Sequence, residues 1–230
     1  MATKRIAPAA QAVSLPNPND IPAAVRDRLS PVVMDLYSAG DFHRVDMRSI
    51  AREAGMSFRT IYQYFGDKES LLFWFIQHWL SGLYPAALEP LEGDAGLREK
   101  LLGVLEAHLA FYEKHPNVGR IIFMTVPLER WMREPSYAQP EFMRRVLQAI
   151  KDAQQQGELR PDIDSRVILD AWSAIFNRAF LMWEYRRRSY SLKGQAAPLF
   201  SILWNGIAGA GATTNVPAST RKPAKKRVAG

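Results

Sequence analysis

Apolar residues recur at helical spacing along most of this 230-residue chain. The run Val32, Val33, Leu36 and Tyr37 is one example, and the segment from Leu71 to Leu80 is another. Apolar positions three and four residues apart mark amphipathic helices, whereas a half-buried strand alternates every second residue. The sequence contains no alternating run, so it predicts an all-α protein of roughly eight or nine helices.

The segment "DMRSIAREAGMSFRTIYQYF" predicts two short helices joined by a tight turn. Asp46 can cap a helix from Met47 to Ala54, and Ser57 can cap the next one, from Phe58 to Phe65. Gly55 stands between them, where the reversal needs a residue that tolerates a positive φ. This arrangement is typical of a helix-turn-helix.

The second helix separates packing side chains from hydrogen-bonding ones. Ile61 and Phe65 lie four residues apart, so both can pack against the first helix. Arg59, Thr60 and Gln63 then face elsewhere. Arginine pairs with guanine, glutamine pairs with adenine, and tyrosine hydroxyls bond phosphates, so this face suits a DNA major groove.

The stretch "SIAREAGMSFRTIYQYFGDKESLL" resembles the helix-turn-helix of TetR/AcrR-family transcriptional regulators. The resemblance covers about residues 21–80, and beyond them only the helical layout agrees. Ser30-Pro31 fall inside the first expected helix, which therefore either kinks there or begins at Ser30. The positions that match the family pattern are Ile50-Ala51, Ala54-Gly55-Met56-Ser57, Tyr62-Gln63-Tyr64-Phe65 and Lys68-Glu69 with Leu71-Leu72.

The resemblance implies an N-terminal three-helix DNA-binding domain and a larger helical domain that dimerises and holds a small effector. Three positions near the turn depart from the usual pattern: Arg59 stands where a small residue is common, Phe58 where Lys, Arg or Pro is common, and Asp46 where Thr is common. The implied phosphate contacts are Arg48, Ser57, Tyr62, Tyr64 and Lys68, and the implied base contacts are on the exposed face of Phe58, Arg59, Thr60, Tyr62 and Gln63.

The net charge of +7 is concentrated at the two ends of the chain. The last ten residues contain five basic side chains and no acid, and Lys4 and Arg5 lie at the other end. The charge of the central part is therefore balanced and does not itself indicate DNA binding. We expect a flexible arm over 1–20, a DNA-binding domain over 21–66, a ligand-binding and dimerisation domain over 67–211, and a disordered basic tail over 212–230.

Aromatic residues are frequent in the later helices, and packing in the core or at a dimer interface explains most of them. The stretch "WSAIFNRAFLMWEY" also places Ser173, Asn177 and Arg178 in an otherwise apolar helix. Buried polar groups need partners, and a ligand is one possible partner. The predicted lining of a ligand pocket is Leu105, Leu109, Tyr112, Phe142, Val146, Trp172, Ser173, Phe176, Asn177 and Phe180.

Other kinds of site find little support in the sequence. There is no cysteine, the four histidines lack metal-ligand spacing, and no catalytic motif is present, so we expect no cofactor, no metal and no enzymatic activity. No apolar run has membrane-spanning length, and the N-terminus lacks a signal-peptide pattern. The expected location is the cytoplasm.

These patterns predict a homodimeric transcriptional regulator, most simply a repressor. It would bind a pseudo-palindromic DNA operator and be released by a mostly hydrophobic small molecule. The helix that follows Asp67 would link the two domains. The alternatives are a DNA-binding architectural protein of the same fold with no effector, and a helical enzyme acting on a hydrophobic substrate.

Overall fold

The computed structural model describes residues 15–16, 20–133 and 140–212. Within these residues the fold is all-α, as predicted, and no β-strand is present. The basic tail beyond residue 212 and most of the predicted N-terminal arm lie outside the described residues. The α-helices are α1 (Ala23–Ala39), α2 (Met47–Glu53), α3 (Phe58–Phe65), α4 (Lys68–Leu80), α5 (Leu83–Glu92), α6 (Leu97–Lys114), α7 (Pro116–Arg120), α8 (Leu128–Arg133), α9 (Pro140–Gln155), α10 (Ser165–Tyr185) and α11 (Ala196–Ile207).

Two short non-α turns complete the helical path. A π-helix, Ile121–Thr125, continues directly from α7, and a 3₁₀ turn, Lys193–Gln195, precedes α11. The described helices outnumber the expected eight or nine because the segment after α6 divides into short pieces. Apolar periodicity cannot resolve helices of five or six residues, since each makes less than two full turns.

Helices α1, α2 and α3 form an N-terminal unit with its own buried centre. Leu29, Val33 and Tyr37 lie four residues apart on α1 and are buried. The helix begins at Ala23 and runs through Pro31, so a start at Ser30 is wrong. Because proline has no N–H, the α-helical bond that residue 31 would donate cannot form.

Helix α4 connects this unit to the rest of the protein. It is buried around almost its whole circumference, from Ser70 to Ile76 and again at Leu80. A helix that is apolar on all sides is a core helix. The indole N–H of Trp79 donates to the Ser30 hydroxyl (2.9 Å), and that of Trp74 donates to the carbonyl of Pro16 (3.0 Å). Pro16 therefore contacts α4, unlike a loose arm.

The remaining helices build a larger bundle around a continuation of the same core. Helices α5 and α6 approach closely where Gly103 faces Pro90, since a Cβ on Gly103 would lie 2.8 Å from the proline ring. The carboxylate of Asp164 caps α10 by accepting the N–H of Arg166 (2.7 Å). In the described part of the chain no helix is long and apolar enough to cross a membrane.

Candidate functional site

Helices α2 and α3 both begin at the predicted N-cap residues. The carboxylate of Asp46 accepts the N–H groups of Arg48 (2.8 Å) and Ser49 (2.9 Å), and the Ser57 hydroxyl accepts that of Thr60 (3.0 Å). Hydrogen bonds from Ser49, first from its N–H and then from its hydroxyl, hold the pKa of Asp46 below its ordinary value. Gly55 has a φ of 58°, which explains why glycine occupies this turn.

Helix α3 buries one face and exposes the other. Ile61 and Phe65 are buried, and α3 contacts α2, the helix against which they were predicted to pack. The ring of Phe65 also packs against those of Trp74 and Phe75 in α4. Phe58 is 45% exposed and Tyr62 is 56% exposed. Their rings stack on each other with centroids 5.8 Å apart, and Arg59 is exposed on the same helix. Large aromatic surface left in water on a short helix indicates a contact surface.

The other predicted DNA-contacting residues differ in how much they are engaged inside the protein. Arg48 and Gln63 are exposed. The Ser57 hydroxyl, besides capping α3, shares a hydrogen bond with the Thr60 hydroxyl (2.7 Å). Tyr64 is half-buried and packs its ring edge against Phe65.

Lys68, the half-buried first residue of α4, directs its side chain to the N-terminal unit, whereas the resemblance implied a phosphate contact. Its ammonium group donates to the carbonyls of Phe42 (3.1 Å), His43 (3.4 Å) and Val45 (2.9 Å). Its Nζ also lies 5.0 Å from the centre of the Phe42 ring. An ammonium has three donors, so these three carbonyls occupy all of them. The observed role of Lys68 is to hold the loop before α2 against the start of α4.

A second candidate site is a cavity of about 170 Å³ within the larger bundle. Tyr84 and Phe142 stand at one side with ring centroids 5.5 Å apart, and Phe123 and Phe176 stand at another, 6.2 Å apart. The residues that line the cavity are Leu80, Leu83, Tyr84, Val104, His108, Tyr112, Ile122, Phe123, Phe142, Met143, Val146, Leu169, Trp172, Ser173, Phe176 and Asn177.

Three polar residues on the cavity wall have well-defined surroundings. The Ser173 hydroxyl donates to the carbonyl of Leu169 one turn earlier (2.9 Å). The Nδ1 of His108 lies 2.9 Å from the carbonyl of Val104, and burial lowers the pKa of this histidine. The Oδ1 of Asn177 is buried and has no hydrogen-bond partner. A buried oxygen without a partner is uncommon in native structures and needs an explanation.

Seven of the ten residues predicted to line a pocket do line this cavity. Leu105, Leu109 and Phe180 do not, although all three are buried. On α6 the wall is formed by positions 104, 108 and 112, so Leu105 and Leu109 lie about 100° further round the helix. Phe180 instead packs directly on Gly119 of α7. His108 was missed, and its place among buried leucines on α6 is the signal that could have identified it.

The segment after α6 connects the cavity to the N-terminal unit. Ile122 and Phe123 of the π-helix line the cavity, while the π-helix and α7 both contact α1. The guanidinium of Arg120 donates to the carbonyl of Ser38 in α1 (3.3 Å) and to the carboxylate of Glu184 in α10 (3.0 Å). One short segment therefore touches the cavity wall, the first helix and α10.

Helices α10 and α11 leave apolar side chains in water. Ile202 on α11 is 71% exposed, and Val167 near the start of α10 is also exposed. The half-buried Trp204 follows on α11. Single exposed apolar residues are ordinary, but several on two adjoining helices indicate a surface suited to another protein.

Comparison with known proteins found similar sequences among bacterial transcriptional regulators. The sequence model of the family described as bacterial regulatory proteins, tetR family, matches residues 34–73. The HTH-type transcriptional regulator UidR of Escherichia coli is 27% identical over 155 residues, which cover 63% of this chain and 76% of UidR. The matched family segment includes α2, α3 and the first part of α4.

Two solved regulators share the fold of almost the whole described chain. FadR of Bacillus subtilis, in complex with stearoyl-CoA, superposes with a TM-score of 0.69 at 18% identity, covering 78% of this chain and 98% of FadR. The fatty acid degradation regulator FadR of Bacillus halodurans gives a TM-score of 0.68 at 17% identity, covering 81% of this chain and 97% of that one. At this identity the likeness establishes the fold.

Proposed function

Because this chain is a member of the TetR family of bacterial regulatory proteins, we propose that it is a homodimeric repressor released from its operator by a mostly apolar small molecule. The observation that carries the proposal is the combination of an exposed helix-turn-helix with a cavity in the same chain. The boundaries proposed for its two functional parts are 21–66 for DNA binding and 67–211 for ligand binding and dimerisation.

The DNA-binding part of the proposal rests on α3. Its exposed face offers the guanidinium of Arg59, the amide of Gln63 and the stacked rings of Phe58 and Tyr62. Arginine and glutamine form paired hydrogen bonds with guanine and adenine, and an aromatic ring can contact the methyl group of thymine. Arg48 and the hydroxyls of Ser57, Tyr62 and Tyr64 are the proposed phosphate contacts, which fix position and not sequence.

The effector part of the proposal rests on the cavity and its connection to α1. A ligand that binds one arrangement of the π-helix better than another shifts the population toward that arrangement. Ile122 and Phe123 would sense the ligand, and Arg120 would pass the change to Ser38 in α1. Helix α4 is the second proposed route, since its C-terminal residue Leu80 also lines the cavity. The stearoyl-CoA bound by B. subtilis FadR supports a small-molecule effector for this fold.

Selection of DNA from a random-sequence pool tests the proposal directly. We expect the bound fragments to share a pseudo-palindrome whose half-sites lie about 34–36 Å apart, since each protomer of a dimer presents one α3. Fluorescence anisotropy with the selected DNA then measures affinity. Fragments without any shared sequence would contradict the proposal and favour an architectural DNA-binding protein. The cavity is the observation that favours a regulator with an effector over that alternative.

Substitution of Arg59 separates base contact from phosphate contact. Arg59→Ala should cost about 1–3 kcal/mol of operator binding and relax the preference at one position in each half-site, as expected for a lost arginine–guanine pair. Arg52→Ala is the matched control, because Arg52 is also exposed but lies at the end of α2 beside Glu53. An equal loss on operator and random DNA for Arg59→Ala would make Arg59 a phosphate contact.

A further inference from the structure

The polar atoms of the cavity define the chemistry of the molecule that it accepts. We propose that the cavity binds an uncharged compound with a single aromatic ring and a hydroxyl or N–H group. This inference rests on the proposed function, since it names the class of effector. Three acceptor atoms, the residue types of the lining and the size of the cavity support it.

Two of the acceptors belong to α10. The buried Oδ1 of Asn177 has no partner, and in the part of the chain that the structure describes it is the one buried side-chain atom in this condition. The Ser173 hydroxyl has already donated its proton to Leu169, so its oxygen can only accept a further hydrogen bond. Both residues line the cavity one helical turn apart, so a donor on the ligand can bond to the unpartnered oxygen of Asn177 and can also reach the hydroxyl of Ser173.

The third acceptor is the ring of His108 on α6. A carbonyl only accepts hydrogen bonds, so the Nδ1 that lies 2.9 Å from the Val104 carbonyl must carry the proton. Burial lowers the pKa of His108 and keeps the ring neutral, which leaves Nε2 with a lone pair. A ligand hydroxyl or N–H can therefore donate a hydrogen bond to Asn177 or Ser173 on α10, or to Nε2 of His108 on α6.

Charged ligands find no counter-ion on this wall. Among the described residues of the lining, none is Lys, Arg, Asp or Glu. Removing an ionised group from water without a partner is strongly unfavourable. The lining therefore favours an uncharged molecule.

Ring shape and volume narrow the class further. The ring of His108 lies 5.3 Å from that of Phe142 and 5.2 Å from that of Phe176, measured between centroids. Aromatic partners at such distances attract a further ring through edge and face contacts. The cavity volume of about 170 Å³ is close to the ~150 Å³ of an apolar protein cavity that binds benzene. A compound with one ring fills the cavity without requiring it to expand.

Benzyl alcohol, anisole and benzoate test these requirements with the full chain. Benzyl alcohol and anisole are isomers, but only the alcohol has a donor, and benzoate adds a charge. By calorimetric titration we expect benzyl alcohol to bind about ten-fold more tightly than anisole, the value of one satisfied buried hydrogen bond. Benzoate should show no saturation.

The variant Asn177→Leu links this preference to the unpaired oxygen. It should reduce the difference between alcohol and anisole to about three-fold or less, because only His108 and Ser173 still accept. Asn117→Leu is the matched control, since Asn117 is exposed on α7 and does not line the cavity, and this variant should keep the full difference.

The outcomes distinguish this inference from the proposed function. If anisole or benzoate binds as tightly as benzyl alcohol, or if none of the three binds, the inference is overturned, whereas operator binding by the free protein is unaffected. If benzyl alcohol binds with the expected preference but leaves the operator complex intact, the ligand chemistry stands and the effector role under the proposed function fails.

Discussion

At the scale of single residues, the ammonium group of Lys68 joins the loop before α2 to the start of α4. Three backbone carbonyls that would otherwise need water as a partner receive its three protons. The family motif predicted a lysine here, but not this use of it. Sequence resemblance identifies which residue type occurs, whereas the direction of a long side chain depends on the tertiary position of Phe42 and Val45.

Lys68→Met should therefore lower protein stability. The variant keeps the aliphatic stem near Phe42 and removes the donors, so the expected loss is about 1–3 kcal/mol in the free energy of unfolding. Urea denaturation measures it, with Arg59→Met as the control, because an exposed side chain should change stability by less than about 0.5 kcal/mol. Unchanged stability together with a weaker salt dependence of DNA binding would instead show that Lys68 contacts a phosphate group of the DNA.

The buried His108 makes stability depend on pH. Its pKa is lowered in the folded protein, so below the ordinary value of about 6.5 the unfolded chain takes up a proton that the folded protein does not. The free energy of unfolding should therefore decrease as the pH falls below about 6.5, by up to about 1.4 kcal/mol per pH unit for this group, until the folded pKa is passed.

The variant His108→Phe should flatten this part of the stability curve, measured by urea denaturation at several pH values. His78 and His115 also have lowered pKa values, mainly because burial disfavours their charged forms, so some slope should remain. Phe142→Leu serves as the control, since it alters the cavity without removing a titratable group. A slope unchanged in His108→Phe would assign the proton uptake to other groups.

At the scale of secondary-structure elements, local signals and tertiary packing contribute differently. The boundaries of α2 and α3 follow from Asp46, Gly55 and Ser57, which act within a few residues of themselves. The sequence therefore predicted this unit almost completely. Helix α6 buries one broad face that includes both Leu105 and His108, so periodicity alone could not decide which of the two lies toward a cavity.

Close packing at Gly119 holds α7 and the π-helix in position. A Cβ at this residue would collide with the ring of Phe180, which itself contacts the rings of Tyr112 and Phe123. Gly119→Ala should consequently reduce the free energy of unfolding by about 1–3 kcal/mol through overpacking. Thermal or urea unfolding measures the loss.

The control for this substitution is Gly206→Ala in α11. Both glycines lie in helices, but a Cβ at Gly206 meets no atom within 4 Å. Because alanine favours helix more than glycine does, this control should be neutral or stabilising by up to about 1 kcal/mol. Equal effects of the two substitutions would mean that the Phe180 ring moves freely and that the α7 segment is not tightly held.

At the scale of the whole molecule, the helix-turn-helix and the cavity differ in how directly the sequence predicts them. The helix-turn-helix is encoded in one continuous stretch, whereas the cavity combines side chains from α4, α5, α6, α9, α10 and the π-helix. A sequence reveals which of these helices are apolar but not how they meet. For this reason Met143 and Leu169, which line the cavity, were not predicted to do so: nothing in their local sequence indicates that position.

The proposed homodimer gives the last prediction, because it joins two copies of α3 into one operator-binding molecule. If the dimer interface is the exposed apolar surface of α10 and α11, Ile202→Glu should place a charge in it and shift the protein to monomers. Since a monomer contacts only one half-site, operator affinity should fall at least about ten-fold. Analytical ultracentrifugation measures the mass, and fluorescence anisotropy measures DNA binding.

Leu128→Glu is the matched control: Leu128 is 64% exposed, similar to the 71% of Ile202, but lies on α8. If both variants remain dimeric, or if both dissociate, α10 and α11 are not the specific interface; a monomeric Ile202→Glu with full operator affinity would show that the operator is bound by single chains.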